Sequence, residues 1–310
     1  MPWNWMNSFI VKDAINICRK ASNNDRFVSS FQPKLLKRLT GVVFDCPERP
    51  SDFCFDVVEP DRLFDSICLT SGGADSTIAW YYAGKPPGLY IDIGQPYAQK
   101  ERDALSRLGI PYQYVDLRGT HLADKTWKHI IPGRNFLFLA LAAEMVVDQG
   151  NVWFAMVEGE GAESDKGDKS LMFVSLFQDW YTAVTGRSVY VQDMTLHTKP
   201  GWLRWFSKNY DINIIRKDTV TCFAEEKGQC GKCQACLRKY LSFMSLDIDI
   251  AEDFVAHPMF GAVEYVQKYE QKLAYALGKG DFSHYSRHRC IEDLSAIAKA
   301  KELMITGQSQ

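Results

Sequence analysis

From residue 66 onward, short apolar runs alternate with stretches in which apolar residues recur every three or four positions. The pattern predicts strand 66–70, helix 74–83, strand 88–92, helix 97–108 and strand 112–116. It continues with helix 134–148, strand 151–157, helix 170–184, strand 189–193 and helix 200–209. Strands that alternate with helices in this way imply an α/β fold, a five-stranded parallel sheet doubly wound with helices on both faces. Ligands of such sheets sit beyond the carboxyl ends of the strands. A glycine turn after the first strand, Asp92, the segment Pro132-Gly133-Arg134-Asn135 and an acidic loop after Val157 all fall at those ends. Topology alone therefore directs them to one site.

The flanks read differently. Residues 1–64 suggest a short helix over 11–20 and two strands, 42–46 and 53–58, around a turn rich in proline and acid. Residues 246–310 look helical, with amphipathic stretches at 262–277 and 290–304 that suit packing or dimer contacts, and a frayed tail. The expected division is an N-terminal extension 1–64, a nucleotide-binding domain 65–217 and a C-terminal region 218–310.

The strongest chemical signal is Ser71-Gly72-Gly73-Ala74-Asp75-Ser76-Thr77, which joins a predicted strand to a predicted helix. Adjacent glycines allow a tight turn and close approach to a ligand. The first N–H groups of a helix lack partners and carry partial positive charge. Hydroxyls of Ser71, Ser76 and Thr77 surround them, so an anion such as pyrophosphate fits there. The chain has no Gly-x-x-x-x-Gly-Lys-Ser/Thr, so no lysine is aimed at a terminal phosphate in the Walker manner.

The second signal is Cys222, Cys230, Cys233 and Cys236, spaced Cys-x7-Cys-x2-Cys-x2-Cys. Four thiolates at such spacing close a tetrahedral zinc site and leave no open coordination position, which marks the zinc as structural. A simple redox dithiol would leave sulfurs over, and nothing marks the chain as secreted, which argues against disulfides. The other cysteines, 18, 46, 54, 68 and 290, are scattered.

The Ser-Gly-Gly-x-Asp-Ser turn resembles the PP-loop of ATP pyrophosphatases. Together with the late four-cysteine cluster, the chain resembles the 7-cyano-7-deazaguanine synthases over roughly residues 65–245. Tyr90-Ile91-Asp92-Ile93-Gly94-Gln95 with Glu101, Pro132-Gly133-Arg134-Asn135, Thr198-Lys199 and Cys230-Gly231-Lys232-Cys233 through Cys236-Leu237-Arg238 carry the likeness. It implies an adenine-nucleotide α-hydrolase-like fold with ATP and magnesium beside the structural zinc, and a homodimer. The implied reaction turns 7-carboxy-7-deazaguanine and ammonia into the 7-cyano compound through adenylated intermediates, as in queuosine biosynthesis. In that scheme Ser71, Gly72, Gly73, Asp75, Ser76, Thr77 and Asp92 hold the nucleotide. Arg134, Lys199 and Asp75 serve catalysis, and Gly133, Arg134, Asn135, Glu160 and Asp168 contact the substrate. Each has a plainer reading: Asp75 as a cap, Arg134 in a surface ion pair, Lys199 solvated at a helix start, Asp92 capping a turn, Glu160 and Asp168 in solvent. The chain departs from the family where a Tyr-Pro-Asp-Cys-Arg stretch is expected; the Cys and Arg fall on Lys169 and Ser170, the fourth-strand glycine on Ala155, and an Asp on Glu160. An enzyme that stops at an amide or joins the activated acid to another amine, for DNA modification or defence, is therefore an alternative.

Composition adds little beyond exclusion. The chain has 310 residues and a net charge of −2, ordinary for a globular protein and without a large basic footprint for nucleic acid. That balance disfavours a zinc-ribbon nucleic-acid reader on a degenerate scaffold. No stretch reaches the ~18–20 apolar residues of a membrane span, and the start lacks the pattern of a secretory leader. The expectation is a soluble cytoplasmic enzyme. The six histidines show no metal or triad spacing, and Trp80, Trp127, Trp153 and Trp180 read as core.

Overall fold

The computed structural model describes residues 63–118, 131, 133–159, 167–224 and 228–307. The elements predicted within 1–62, and the candidate Glu160, lie outside the described residues. The alternation predicted above is present: β1 (Phe64–Leu69), α1 (Ala74–Tyr82), β2 (Gly88–Asp92), α2 (Ala98–Arg107) and β3 (Tyr112–Asp116) come first. Then follow α3 (Arg134–Glu144), β4 (Val146–Val157), α4 (Leu171–Thr185), β5 (Val189–Met194) and α5 (Lys199–Asn209). All pairings are parallel, and the order β3-β2-β1-β4-β5 makes β1 central.

Alternate side chains of the strands feed two cores. Cys68, Tyr90 and Met194 face α1, α2 and α5, whose Ile78, Leu105, Trp202 and Phe206 are buried with them. Ile67, Leu89, Ile91, Val152 and Val191 face Leu139 of α3 and Val174, Phe177 and Tyr181 of α4. Period-two alternation thus places helices on both faces, as a parallel sheet requires.

One boundary differs from the sequence pattern. The helix predicted over 134–148 ends at Glu144, and β4 starts at Val146. Met145-Val146-Val147 continues the apolar run, but Gln149 takes a positive φ of 63°, which breaks a helix. The chain folds back so tightly that a Cβ on Gly150 would lie 2.7 Å from Val146 Cβ. The Phe64 N–H donates to Met145 O, and register with β1 slips between Phe64↔Val146 and Ser66↔Asn151.

The C-terminal region packs into the first of the two cores. A π-helical turn (Ile214–Asp218) leads to α6 (Gln234–Met244), the short α7 (Pro258–Gly261), α8 (Val263–Lys279) and α9 (Arg287–Thr306). Leu237, Tyr240, Leu241 and Phe243 of α6, Leu273 of α8 and Cys290, Ile297 and Ala300 of α9 share one buried cluster with the sheet. No helix among the described residues is long and apolar enough to cross a membrane.

Candidate functional site

The glycine turn sits at the carboxyl end of the central strand. Gly72 has φ of +65°, and a Cβ there would lie 2.8 Å from both Ala104 Cβ and Glu101 O. Glycine is therefore required twice, by backbone angle and by the close approach of α2. Gly73 caps α1 with no side-chain hydrogen bond to the helix, so N–H groups of the first turn remain free for a ligand. Hydroxyls brace the turn from inside: Ser71 N–H donates to Ser76 Oγ at 3.2 Å, Gly73 N–H to Ser71 Oγ at 3.4 Å, and Ser76 Oγ–H to Gly73 O at 3.2 Å. Thr77 is buried, and its Oγ1 has no hydrogen-bond partner.

Lys199 meets this turn directly. Its Nζ lies 2.8 Å from Asp75 Oδ2, with both side chains largely shielded from water. Lys199 opens α5, and Thr198 caps that helix by accepting from Gly201 N–H at 3.2 Å. The turn from β1 and the start of the helix after β5 are thus joined by a cation beside the anion cradle.

Beneath the turn, a buried polar network fixes α2. Glu101 Oε2 accepts from Gln95 Nε2 at 2.6 Å and from the Tyr90 hydroxyl at 3.0 Å. Burial pushes the Glu101 carboxyl up to about 7, with the two hydrogen bonds opposing the shift. Tyr97 is pushed up to about 12, by burial first and then by the charge of Glu101. The Arg134 charge acts on both groups and opposes both shifts, which brings the start of α3 within electrostatic reach of the turn. Gly133 caps α3 in a left-handed conformation at φ 76°.

Asp92 has its own partners. It is fully buried, and it accepts from Arg102 at 2.5 Å, the Tyr114 hydroxyl at 3.0 Å and Gly94 N–H at 2.8 Å. Asn135 is buried and donates from Nδ2 to Asp168 O at 3.2 Å, tying α3 to the loop before α4. Ser170, which occupies an expected arginine position, caps α4 by accepting from Phe173 N–H at 3.1 Å.

The four cysteines converge. Sγ atoms of Cys222, Cys230, Cys233 and Cys236 all lie within 4.8 Å of one another, a donor set that can hold zinc. Backbone amides point at the sulfurs, as thiolates need: Ala224 N–H and Cys230 N–H reach Cys222 Sγ at 3.4 and 3.3 Å, and Lys232 N–H reaches Cys230 Sγ at 3.3 Å. Gly231 is required by packing, because a Cβ there would fall 1.6 Å from Ala256 O. The cluster is wired to the glycine turn. Val220 N–H donates to Gly72 O at 2.9 Å, and Lys100 Nζ of α2 donates to Ala224 O at 2.8 Å and to Gly228 O at 2.9 Å. The Lys239 amine, pushed down to about 7 by burial, donates to Arg216 O at 2.8 Å and Thr219 O at 3.3 Å, holding the segment that precedes Cys222.

Sequence reasoning quoted Arg238 but gave it no role. It lines a crevice with Glu158, Lys199, Ser242, Arg289 and Asp293, and its buried Nε has no acceptor. A guanidinium at i+2 from a zinc ligand is a signal visible in the sequence, but only the fold turns it toward Lys199.

A family model described as Queuosine biosynthesis protein QueC matches residues 112–247. The 7-cyano-7-deazaguanine synthase of Campylobacter jejuni is 23% identical over 209 residues, covering 57% of this chain and 92% of its own length. That of Methanoregula boonei is 23% identical over 206 residues, covering 57% and 93%. That of Bdellovibrio bacteriovorus is 26% identical over 232 residues, covering 61% and 96%. Over its central part the chain is similar to the QueC family. The parallel sheet of order 3-2-1-4-5 and the four-cysteine cluster agree with it. No solved structure matches the chain.

Proposed function

We propose that this protein uses ATP to convert 7-carboxy-7-deazaguanine and ammonia to 7-cyano-7-deazaguanine. The observation that carries the reading is the braced Gly72-Gly73 turn at the end of the central strand, with Lys199 held against Asp75 at its edge. A carboxylate accepts ammonia poorly because its oxygen is a poor leaving group. Attack of that oxygen on the α-phosphorus of ATP breaks the bond to the β-phosphate and releases pyrophosphate. Ammonia then adds to the acyl carbon, AMP leaves and an amide forms. The amide oxygen attacks the α-phosphorus of a second ATP with loss of pyrophosphate, and loss of AMP and a proton gives the nitrile.

The chain's residues have separable tasks in this scheme. Free N–H groups at the start of α1 receive the leaving pyrophosphate, which gains negative charge as the bond breaks. Lys199 offsets charge at the α-phosphate, and Arg134 suits planar, bidentate pairing with a carboxylate or phosphate. Asp75 pairs with Lys199, and its carboxylate would also hold hydrated magnesium, which would supply further charge neutralisation. The four cysteines would hold zinc as a structural ion, which would anchor the segment that reaches Gly72 through Val220.

The test is to incubate zinc-loaded protein with the carboxy compound, ATP and ammonium and identify products by mass spectrometry. A nitrile with two AMP per product supports the reading. A second reading follows from Ser170, whose hydroxyl is spent on capping α4 where an arginine is expected. On that reading the activated acid stops at the amide or passes to another amine, and the same assay gives one AMP per amide or conjugate.

A further inference from the structure

Helix α9 lies outside residues 112–247, the stretch that the family model matches. Its buried face, Cys290, Ala296, Ile297 and Ala300, is ordinary core. Its first two turns do something else. Arg289 donates from Nη1 to Gly159 O, two residues beyond the end of β4, and from Nη2 to the Tyr269 hydroxyl at 3.1 Å. The same guanidinium pairs with Asp293 at 3.3 Å and lies over the Tyr285 ring at 5.0 Å, so its fork is aimed from several sides. Gly159 has φ of +79°, and a Cβ there would lie 2.7 Å from Arg289 Cδ, so loop and arginine are fitted to each other. One turn on, Glu292 accepts from the Thr198 hydroxyl and pairs with Arg204, both on or next to α5. Thr198 is the cap of α5 and the neighbour of Lys199.

The strand ends that bear the site are thus tied to a helix more than ninety residues away in sequence. We propose that α9 is a positioning element of the reaction site. Glu292 fixes the Thr198 cap and thereby the direction of Lys199 toward Asp75. Arg289 fixes the Gly159 carbonyl and thereby the carboxyl end of β4. Neither residue touches the reacting atoms; both act through the residues they hold. The proposal rests on the reading that Lys199 and the carboxyl end of β4 serve an ATP-dependent reaction.

The experiment compares Glu292→Ala, Thr198→Ala, their double variant, Arg289→Lys and Arg289→Met with Ile297→Val, a core change elsewhere on α9. Three quantities are read: kcat and KM for AMP release, melting temperature, and hydrogen exchange at amides 157–159 and at 198, 199 and 201. Glu292→Ala and Thr198→Ala each lower kcat about 10-fold or more, as misplacement of a reacting group does, with KM for ATP changed less than about two-fold. The double variant is slowed by clearly less than the product of the two single defects, because both remove the same link. Arg289→Met speeds exchange at 157–159, and Arg289→Lys restores it only in part because lysine lacks the fork. Ile297→Val lowers the melting temperature and leaves kcat unchanged. The proposal is overturned if kcat follows melting temperature across all variants, if the double variant multiplies the two defects, or if exchange at both loops stays at the wild-type rate. Should the wild-type protein release no AMP, the functional reading fails by itself. The exchange rates then still decide whether α9 holds these loops.

Discussion

Replacing Glu101 by Gln changes how stability depends on pH, and the size of the change follows from the network beneath the glycine turn. The Glu101 carboxyl, ordinarily at 4.5, is pushed up to about 7 by burial. Between those values the folded chain binds a proton that the unfolded chain has lost, so stability falls as pH rises from 4.5 to about 7 and is flat above. At about 1.36 kcal/mol per pH unit, the charged carboxylate costs about 3 kcal/mol at pH 8 relative to pH 4.5. Glutamine keeps an acceptor for the Gln95 amide and the Tyr90 hydroxyl and cannot ionise. Glu101→Gln is therefore close to neutral near pH 5 and more stable than the parent by about 2–3 kcal/mol at pH 8, after allowance for relaxation around the charge. Urea unfolding of the zinc-loaded proteins across pH 5 to 8 measures the difference. A difference that does not vary with pH, or that favours the parent at pH 8, refutes the reasoning.

Removing zinc with a chelator unfolds the segment from Thr219 through α6 and frees Val220 from Gly72, so ATP affinity falls together with far-ultraviolet helix signal; zinc binding of this kind is worth on the order of 10–16 kcal/mol of folding. ATP affinity that survives complete zinc removal contradicts the coupling. Gly72→Ala combines a left-handed backbone penalty of about 1–2 kcal/mol with contacts at 2.8 Å to Ala104 and Glu101, whereas Gly133→Ala has a positive φ but open space. Calorimetric titration of ATP is expected to show a loss of about 10-fold or more for Gly72→Ala, and a smaller effect for Gly133→Ala. Equal effects would show that the close approach of α2 is unimportant.

The parts of this molecule that were legible in its sequence are those encoded locally. Five apolar runs with period-two or continuous patterning became the five strands, and Ser71–Thr77 announced a strand-turn-helix junction through its two glycines. Cys-x2-Cys-x2-Cys and an earlier cysteine carry their own geometry, and the structure brings all four together. The overrun of the helix predicted to 148 arose because Met145-Val146-Val147 suits either element, and only the left-handed Gln149 and pairing to Phe64 decide it. Helix α6 escaped the pattern because its start, Cys233 and Cys236, reads first as a zinc-binding loop. Asp92 looked like a ligand-facing strand end, and its commitments to Arg102 and Tyr114 arise from packing of β2 against α2 and β3. The roles of Arg238, Arg289 and Glu292 depend on contacts between distant segments, which no local pattern reports.

The central claim is that the hollow at residues 71–77 binds the outer phosphates of ATP while the α-phosphorus is transferred to a carboxylate. Carboxylate oxygen-18 in the acid tests it most directly, because adenylation moves one labelled oxygen into AMP. The account predicts labelled AMP that requires 7-carboxy-7-deazaguanine and is abolished by Lys199→Met. Unlabelled AMP, or ADP with inorganic phosphate as the nucleotide product, would contradict it.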